Sequence, residues 1–193
     1  MRKPSQLCTP VALAGLLCLG AAPAALGCGF HPAMEVQLDS MYPGSLSVAV
    51  ALRSAADNGL IDAAALEAPS KGTALYADTV RRLQEFRKAL AASPAAAELP
   101  SSFSLGFVES HLWSRYSESG GKLHVDIHTD GPAEGEAVVL TGEPVLTEVL
   151  AGRLSVERAL ADGMLIIVGD ESEKMALRHA LIATSMANKI SRQ

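Results

Sequence analysis

LTEVLAGRLSVERALADGMLIIVGD, residues 146–170, is the stretch whose reading decides the fold of this chain. It predicts a short helix, a break at Gly152, a second short helix, a break at Gly163, and then an apolar strand stopped by Gly169-Asp170. Glycine supplies the positive-φ backbone that ends a helix, so Gly152 and Gly163 punctuate the segment. Met164 to Val168 shows no polar alternation, which predicts a strand covered on both faces or lying at the centre of a sheet. The stretch holds no nucleophile, metal cluster or phosphate loop.

Working outward, Ala137 to Leu140 reads as a short strand leading into this block, and Asp170 with Glu173 as a capping box for a final helix along Met175, Leu177, Ala180 and Leu181. Upstream the hydrophobic period is two. Phe103, Leu105 and Phe107 alternate with Ser102, Ser104 and Gly106, the pattern of a half-buried strand. His111 to Tyr116 either continues that strand after a kink or forms one of its own. Glu118 to Gly121 is a turn, after which Leu123, Val125 and Ile127 alternate strictly toward Asp130-Gly131-Pro132. Thr73 to Ala92 is the strongest helix, with Tyr76, Val80, Leu83, Phe86 and Leu90 on one apolar stripe. Before it, Ser45 is a candidate cap for a helix from Leu46 to Asp57, with Leu46, Ala49, Val50 and Leu52 inward and Asn58-Gly59 at its end. A further turn or two precedes Pro69, and no internal repeat is present.

The N-terminus carries an address. Met1-Arg2-Lys3 is a basic start, Val11 to Gly20 an apolar run of about ten residues, and Ala21 to Gly27 is rich in small residues. That layout predicts a signal peptide over residues 1–27, its apolar run too short to span a bilayer. Cys8 and Cys18 fall inside it, so an exported chain keeps Cys28 alone and has no internal disulfide. Without Arg2 and Lys3 the 16 basic residues become 14 against 21 acidic ones, a net charge of −7. Such a surface repels polyanions, and no basic run with interleaved aromatics is present, so nucleic acid is not an expected partner. The remaining chain is long enough to bury roughly 70% of its unfolded surface without a disulfide or metal.

Ala25-Leu26-Gly27-Cys28 resembles the lipobox of bacterial lipoproteins, although Ala25 stands where Leu is usual. That resemblance implies lipidation of Cys28, palmitate among the chains, and a membrane-anchored protein of the cell envelope facing the periplasm. Ordinary signal cleavage, leaving a soluble periplasmic or secreted protein, is the alternative. Residues 28–72 then form a tether and a helical extension.

From Leu123 to Ala183 the chain resembles the sterol carrier protein 2 (SCP2) family. The likeness lies in the strand Val138-Val139-Leu140, the helix ending Val149-Leu150 before Gly152, then Leu154, Ala159, Gly163 and the apolar strand closing on Gly169-Asp170. With the helix from Thr73 and the hairpin from Ser101 it extends over residues 73–187. The resemblance implies an α+β domain with a curved, mostly antiparallel sheet, helices over one face, and an apolar site between them for a lipid or another apolar small molecule. Leu105, Phe107, Trp113, Val125, Ile127, Leu150 and Leu165 are the candidate lining residues; ordinary core packing is the plainer account of each.

Chemistry is sparse elsewhere. His124, Asp126 and His128 fall at i, i+2 and i+4 of one predicted strand and so share a face, a plausible transition-metal set. Three such positions stretch over about 13 Å, so at most two can share an ion, and a solvated polar face explains them as well. Glu109, His111 and Arg115 are candidates for a polar cluster near Trp113, while His31 and His179 stand isolated. There is no G-x-S-x-G, H-E-x-x-H or C-x-x-C pattern, so neither an enzyme nor a cofactor is expected. The sequence thus predicts a ligand-binding lipoprotein, with an accessory or scaffold lipoprotein that recognises a partner protein as the alternative.

Overall fold

Ser45, Val48, Leu52, Ala55 and Ala56 form the buried side of the first helix, α1 (Ser45–Asp57). The computed structural model describes residues 42–67 and 73–190; the predicted signal peptide, Cys28, most of the tether and Pro69 lie outside the described residues. Gly44, at φ 95°, takes the N-cap position expected of Ser45. The inward stripe also differs from expectation, since Leu46 and Val50 remain 45% and 59% exposed. Apolar residues occur on both sides of this helix, so periodicity alone could not choose the docked side. Asn58 and Gly59 end it as expected, Gly59 at φ 68°. A short helix, α2 (Ala63–Glu67), follows, the Ala64 N–H donating to Asp62 Oδ1 at 2.9 Å.

The long helix α3 (Thr73–Ala91) buries Thr79, Leu83, Phe86 and Leu90, while Tyr76 of the predicted stripe is 42% exposed. A 3-10 turn (Ala96–Glu98) leads to β1 (Ser102–Phe107), β2 (Leu112–Ser119), β3 (Lys122–Thr129) and β4 (Ala137–Thr141). Then come α4 (Glu143–Leu150), α5 (Val156–Ala161), β5 (Leu165–Val168) and α6 (Glu171–Ile190). This is the helix–break–helix–break–strand order read from residues 146–170, with Gly152 and Gly163 at φ 69° and 72°.

The strands form one mixed sheet in the order β3-β2-β1-β4-β5. All neighbours are antiparallel except β1 and β4, and the fold is the expected α+β, mostly antiparallel class. Two strands change places relative to expectation. β1, expected to be half-buried, is the central strand and is covered on both faces from Phe103 onward. β5, expected to be fully covered, is an edge strand whose Ile166, Ile167 and Val168 are half-buried. Position in a sheet is set by pairing partners far along the chain, which local hydropathy does not encode.

The two faces follow from the registers. Phe103, Leu105 and Phe107 share the inner face with Tyr116, Val125, Ile127, Val139 and Leu165. Tyr116 stacks on Phe103 at 4.9 Å, and Phe86 of α3 meets its edge at 5.6 Å. Its hydroxyl donates to the Leu83 carbonyl at 3.3 Å, and burial pushes its pKa upward, so this phenol remains protonated. From α6, Leu177, Ala180 and Leu181 are buried, Leu177 and Leu181 as part of the same hydrophobic core. Each aliphatic or aromatic side chain so buried contributes about 1.5–3 kcal/mol relative to exposure.

On the outer face Trp113 lies over Gly106, where a Cβ would come within 2.7 Å of the indole Cζ3. Tyr42 meets the Trp113 ring edge-on at 5.8 Å. At the start of α6 the Asp170 carboxylate accepts the Ser172 N–H and hydroxyl at 2.9 and 2.7 Å. The return arm of the predicted capping box is not made, since Glu173 Oε2 is buried without a partner. Among the described residues no helix is long and apolar enough to cross a membrane.

Candidate functional site

Six of the seven expected lining residues fall on or beside the inner layer. Leu105, Phe107 and Leu165 are at most 5% exposed; Val125, Ile127 and Leu150 are partly buried against the core. The register aligns Leu105 with Ser114 and Ile127, and Phe103 with Tyr116 and Val125. Leu123, Val125 and Ile127 therefore run as one apolar row along β3. Trp113 is not brought to this row. It pairs with Gly106 and leans on Leu140 and Tyr42 across the outer face, because its place in the strand alternation is opposite to that of Tyr116.

At the Leu123 end the row opens onto a cleft of about 210 Å³. Its walls are the end of α3 (Ala91), the 3-10 turn with Ala96, Leu99 and Pro100, and Glu118, Gly121 and Leu123 of the β2–β3 hairpin. Arg87 on α3 donates to the Leu123 carbonyl at 3.0 Å, which fixes the hairpin against the helix beside the opening. Small alanine side chains on one wall and a carboxylate on the other give an apolar recess with a polar lip.

A second, more polar cleft of about 450 Å³ lies on the other side of the sheet, lined by Arg115, His128, Thr129, Asp130, Gly131 and Pro132. Here His128 departs from the predicted alternation. β3 pairs Thr129 with Trp113 but Ile127 with Ser114, so His128 is an extra residue in a β-bulge, at φ 70°. The bulge removes His128 from the regular face that His124 and Asp126 share. All three side chains are exposed, and among the described residues no three His, Cys, Asp or Glu gather to hold a metal ion.

Glu109, His111 and Arg115 do not form one cluster. Arg115 Nε reaches Glu136 Oε1 at 3.2 Å, and its Nη2 donates to the Gly131 carbonyl. Glu136 also accepts the Ser104 hydroxyl at 2.7 Å and the Ala133 N–H at 2.9 Å. Burial pushes this carboxyl up, but those hydrogen bonds, one from Ser102, and the guanidinium outweigh it and hold the pKa below the usual range. The network ties the 130–136 loop to the central strand. Sequence alone does not single out Glu136, because an acidic residue ending a Gly-Pro-Ala-Glu-Gly-Glu run reads as loop surface.

Glu109 serves elsewhere. One oxygen accepts the Glu143 N–H at the start of α4, while the other is buried without a partner. Burial pushes its carboxyl up to about 7, the two backbone hydrogen bonds oppose this, and the nearby Glu143 carboxylate adds to it. Glu143 is itself held by Arg82 and by the Thr79 hydroxyl at 2.9 Å. In the same tight turn Ser110 Oγ and His111 Nε2 are buried without partners, and His111 is left-handed at φ 54°. His179 is not isolated: its Nδ1 lies 2.6 Å from Glu98.

No protein-family model matches the chain, and no curated protein matches it. Solved structures similar to it include a sterol carrier protein 2, at 20% identity over 54% of this chain and 94% of that one, with a TM-score of 0.39. They also include a ubiquinone synthesis protein, UbiJ-SCP2, at 15% identity over 57% of this chain and 94% of that one, TM-score 0.41. A stereoselective inverting sec-alkylsulfatase from Pseudomonas matches at 18% identity and TM-score 0.37 over 50% of this chain. The chain spans only 16% of that sulfatase.

Proposed function

We propose that this protein holds a lipid or another apolar molecule between the inner face of the sheet and its covering helices, and does not transform it. The carrying observation is the apolar row Leu123, Val125 and Ile127, which lies on the same face as Leu105 across β2 and opens at Leu123 onto the alanine-walled cleft. A guest buried there is stabilised by about 25 cal/mol per Å² of apolar surface removed from water. Residues 73–187 form the binding domain in this reading, residues 1–27 direct export, and Cys28 carries the lipid that anchors residues 28–72 to a periplasm-facing membrane. The lipobox-like Ala25-Leu26-Gly27-Cys28 supports the anchor.

Native mass spectrometry of the purified protein tests the carrier: an apolar adduct that organic extraction removes is the expected result. A bare mass, with no fluorescence gain when cis-parinaric acid is added, refutes it. For the anchor, Cys28→Ala is expected to move the protein from the membrane fraction to the soluble one, and unchanged partitioning refutes it. One observation favours a second reading, an accessory lipoprotein with a solid core that recognises a partner protein. Phe103, Leu105, Phe107 and Tyr116 are at most 1% exposed, and the rings of Phe103 and Tyr116 are stacked.

A further inference from the structure

We propose that the outward side of α1 is a membrane-contact face, whose Leu46 and Val50 rest among the headgroups of a phospholipid bilayer. The inference rests on the anchored-lipoprotein reading and adds a second attachment to it, one that decides which side of the domain meets the lipid.

The fold uses one side of this helix. Val48, Leu52, Ala55 and Ala56 are buried, and two close contacts place α1 by the outer face of the sheet. A Cβ on Gly44, just before the helix, would come within 2.6 Å of Ile166, which pairs with Leu140 beside Gly106 and Trp113. Leu52 crowds Gly142 at the end of β4, within 2.8 Å of where a Cβ would stand. Leu46 and Val50 are not part of this seat. They stand one turn apart on the helix and stay exposed, with exposed Ser47, Arg53 and Ser54 around them. Leu60 is exposed just past the end of the helix.

Charge, reach and area all point to lipid as the occupant. From Tyr42 to Ala56 there is no carboxylate, and the one charged residue, Arg53, is a cation, in a chain of 21 acidic against 16 basic residues. A surface of anionic headgroups repels such an acidic protein in general but not along this face, which Asp57 closes at the C-terminal end of the helix. Thirteen residues separate Cys28 from Tyr42, a reach of at most about 50 Å, so α1 can lie on the bilayer that holds the anchor. Two partly exposed aliphatic side chains are a slight apolar centre for a protein interface, which buries about 800 Å² on each side. A bilayer needs no such area once an anchor has brought the helix to its surface, because the second contact is then intramolecular in effect.

A depth-sensitive label tests the face. In the anchored form Cys8 and Cys18 are gone with the signal peptide and the Cys28 thiol is acylated, so Val50→Cys supplies the one free thiol. It is labelled with nitrobenzoxadiazole, and the protein is reconstituted in phosphatidylethanolamine–phosphatidylglycerol vesicles with and without a doxyl-labelled phosphatidylcholine. Leu46→Cys is the second reporter on the face, and Lys122→Cys, on the exposed β2–β3 hairpin at the other edge of the sheet, is the reference. Quenching by the doxyl lipid of at least two-fold at positions 46 and 50, and little at 122, is expected. Equal quenching at all three positions, or none at 46 and 50, overturns the face. A label at 50 that ignores the doxyl lipid but becomes shielded from iodide as protein density rises indicates a second copy, and overturns it too. A protein mass without acyl chains refutes the anchor instead. Cys8, Cys18 and Cys28 are then replaced by Ser and the same vesicles are added to the labelled chain, where quenching at 50 still supports the face and its absence overturns it.

Discussion

Replacing Glu109 by Gln should remove most of a pH-dependent loss of stability. In the fold this carboxyl titrates near 7, chiefly because it is buried, and it stands beside the Glu143 carboxylate. Unfolded, it titrates near 4.5. Since the folded value is the higher one, the fold favours the protonated form. The contribution of this group is therefore complete below about pH 4.5, falls away between there and about pH 7, and stays lost above. At 1.36 kcal/mol per pH unit, the difference between the two ends is about 3 kcal/mol, a large share of the 5–15 kcal/mol of a typical domain. Gln keeps an oxygen to accept the Glu143 N–H and carries no charge. The assay is urea unfolding of both proteins at pH 4.5, 6 and 7.5. The variant should match the parent at pH 4.5 and exceed it by about 2–3 kcal/mol at pH 7.5, the other titrating groups cancelling in the comparison. A stability difference that stays constant across the three pH values would show that Glu109 is already ionised in the fold and refute the reasoning.

Three further perturbations probe the packing that positions the site. Gly106→Ala places a methyl within 2.7 Å of the Trp113 ring and 3.0 Å of Leu140 in the central strand; about 1–3 kcal/mol of destabilisation is expected in thermal melts, with a shifted indole emission maximum. Glu136→Ala leaves the Ser104 hydroxyl and Ala133 N–H without their acceptor and takes the carboxylate from Arg115, costing about 2–4 kcal/mol by urea titration; a change under 0.5 kcal/mol would mean that the loop is held by something else. Tyr116→Phe keeps the stack on Phe103 and removes only the bond to the Leu83 carbonyl, so a loss near 1 kcal/mol is expected, whereas Tyr116→Ala should cost about 3–5 kcal/mol.

Much of this protein was legible in its sequence because the relevant signals are local. Gly152 and Gly163 stop helices where they stand, since no side chain has to be strained to reach a positive φ. The three-four spacing of Leu83, Phe86 and Leu90 places them on one side of α3 whatever they pack against. The period-two row Leu123, Val125, Ile127 likewise faces one way along β3 until the bulge at His128 interrupts it. These features require only neighbours along the chain.

What the sequence left undecided depends on partners far away. Whether β1 or β5 lies at the centre is a matter of which strands pair, and β4 reaches β1 in parallel only across the intervening hairpin. Trp113 is among the lining residues that the resemblance implies, but its alternation relative to Tyr116 and the space over Gly106 put it on the outer face. Docking chose Val48 and Leu52 over Leu46 and Val50 on a helix apolar on both sides. The carboxyl of Glu109 acquires its raised pKa from burial in the fold, and that of Glu136 its lowered one from the hydrogen bonds and the Arg115 guanidinium that tertiary folding brings to it. Steric and hydrogen-bonding rules within a few residues dictate the elements; desolvation and pairing across dozens of residues dictate which of their faces meet.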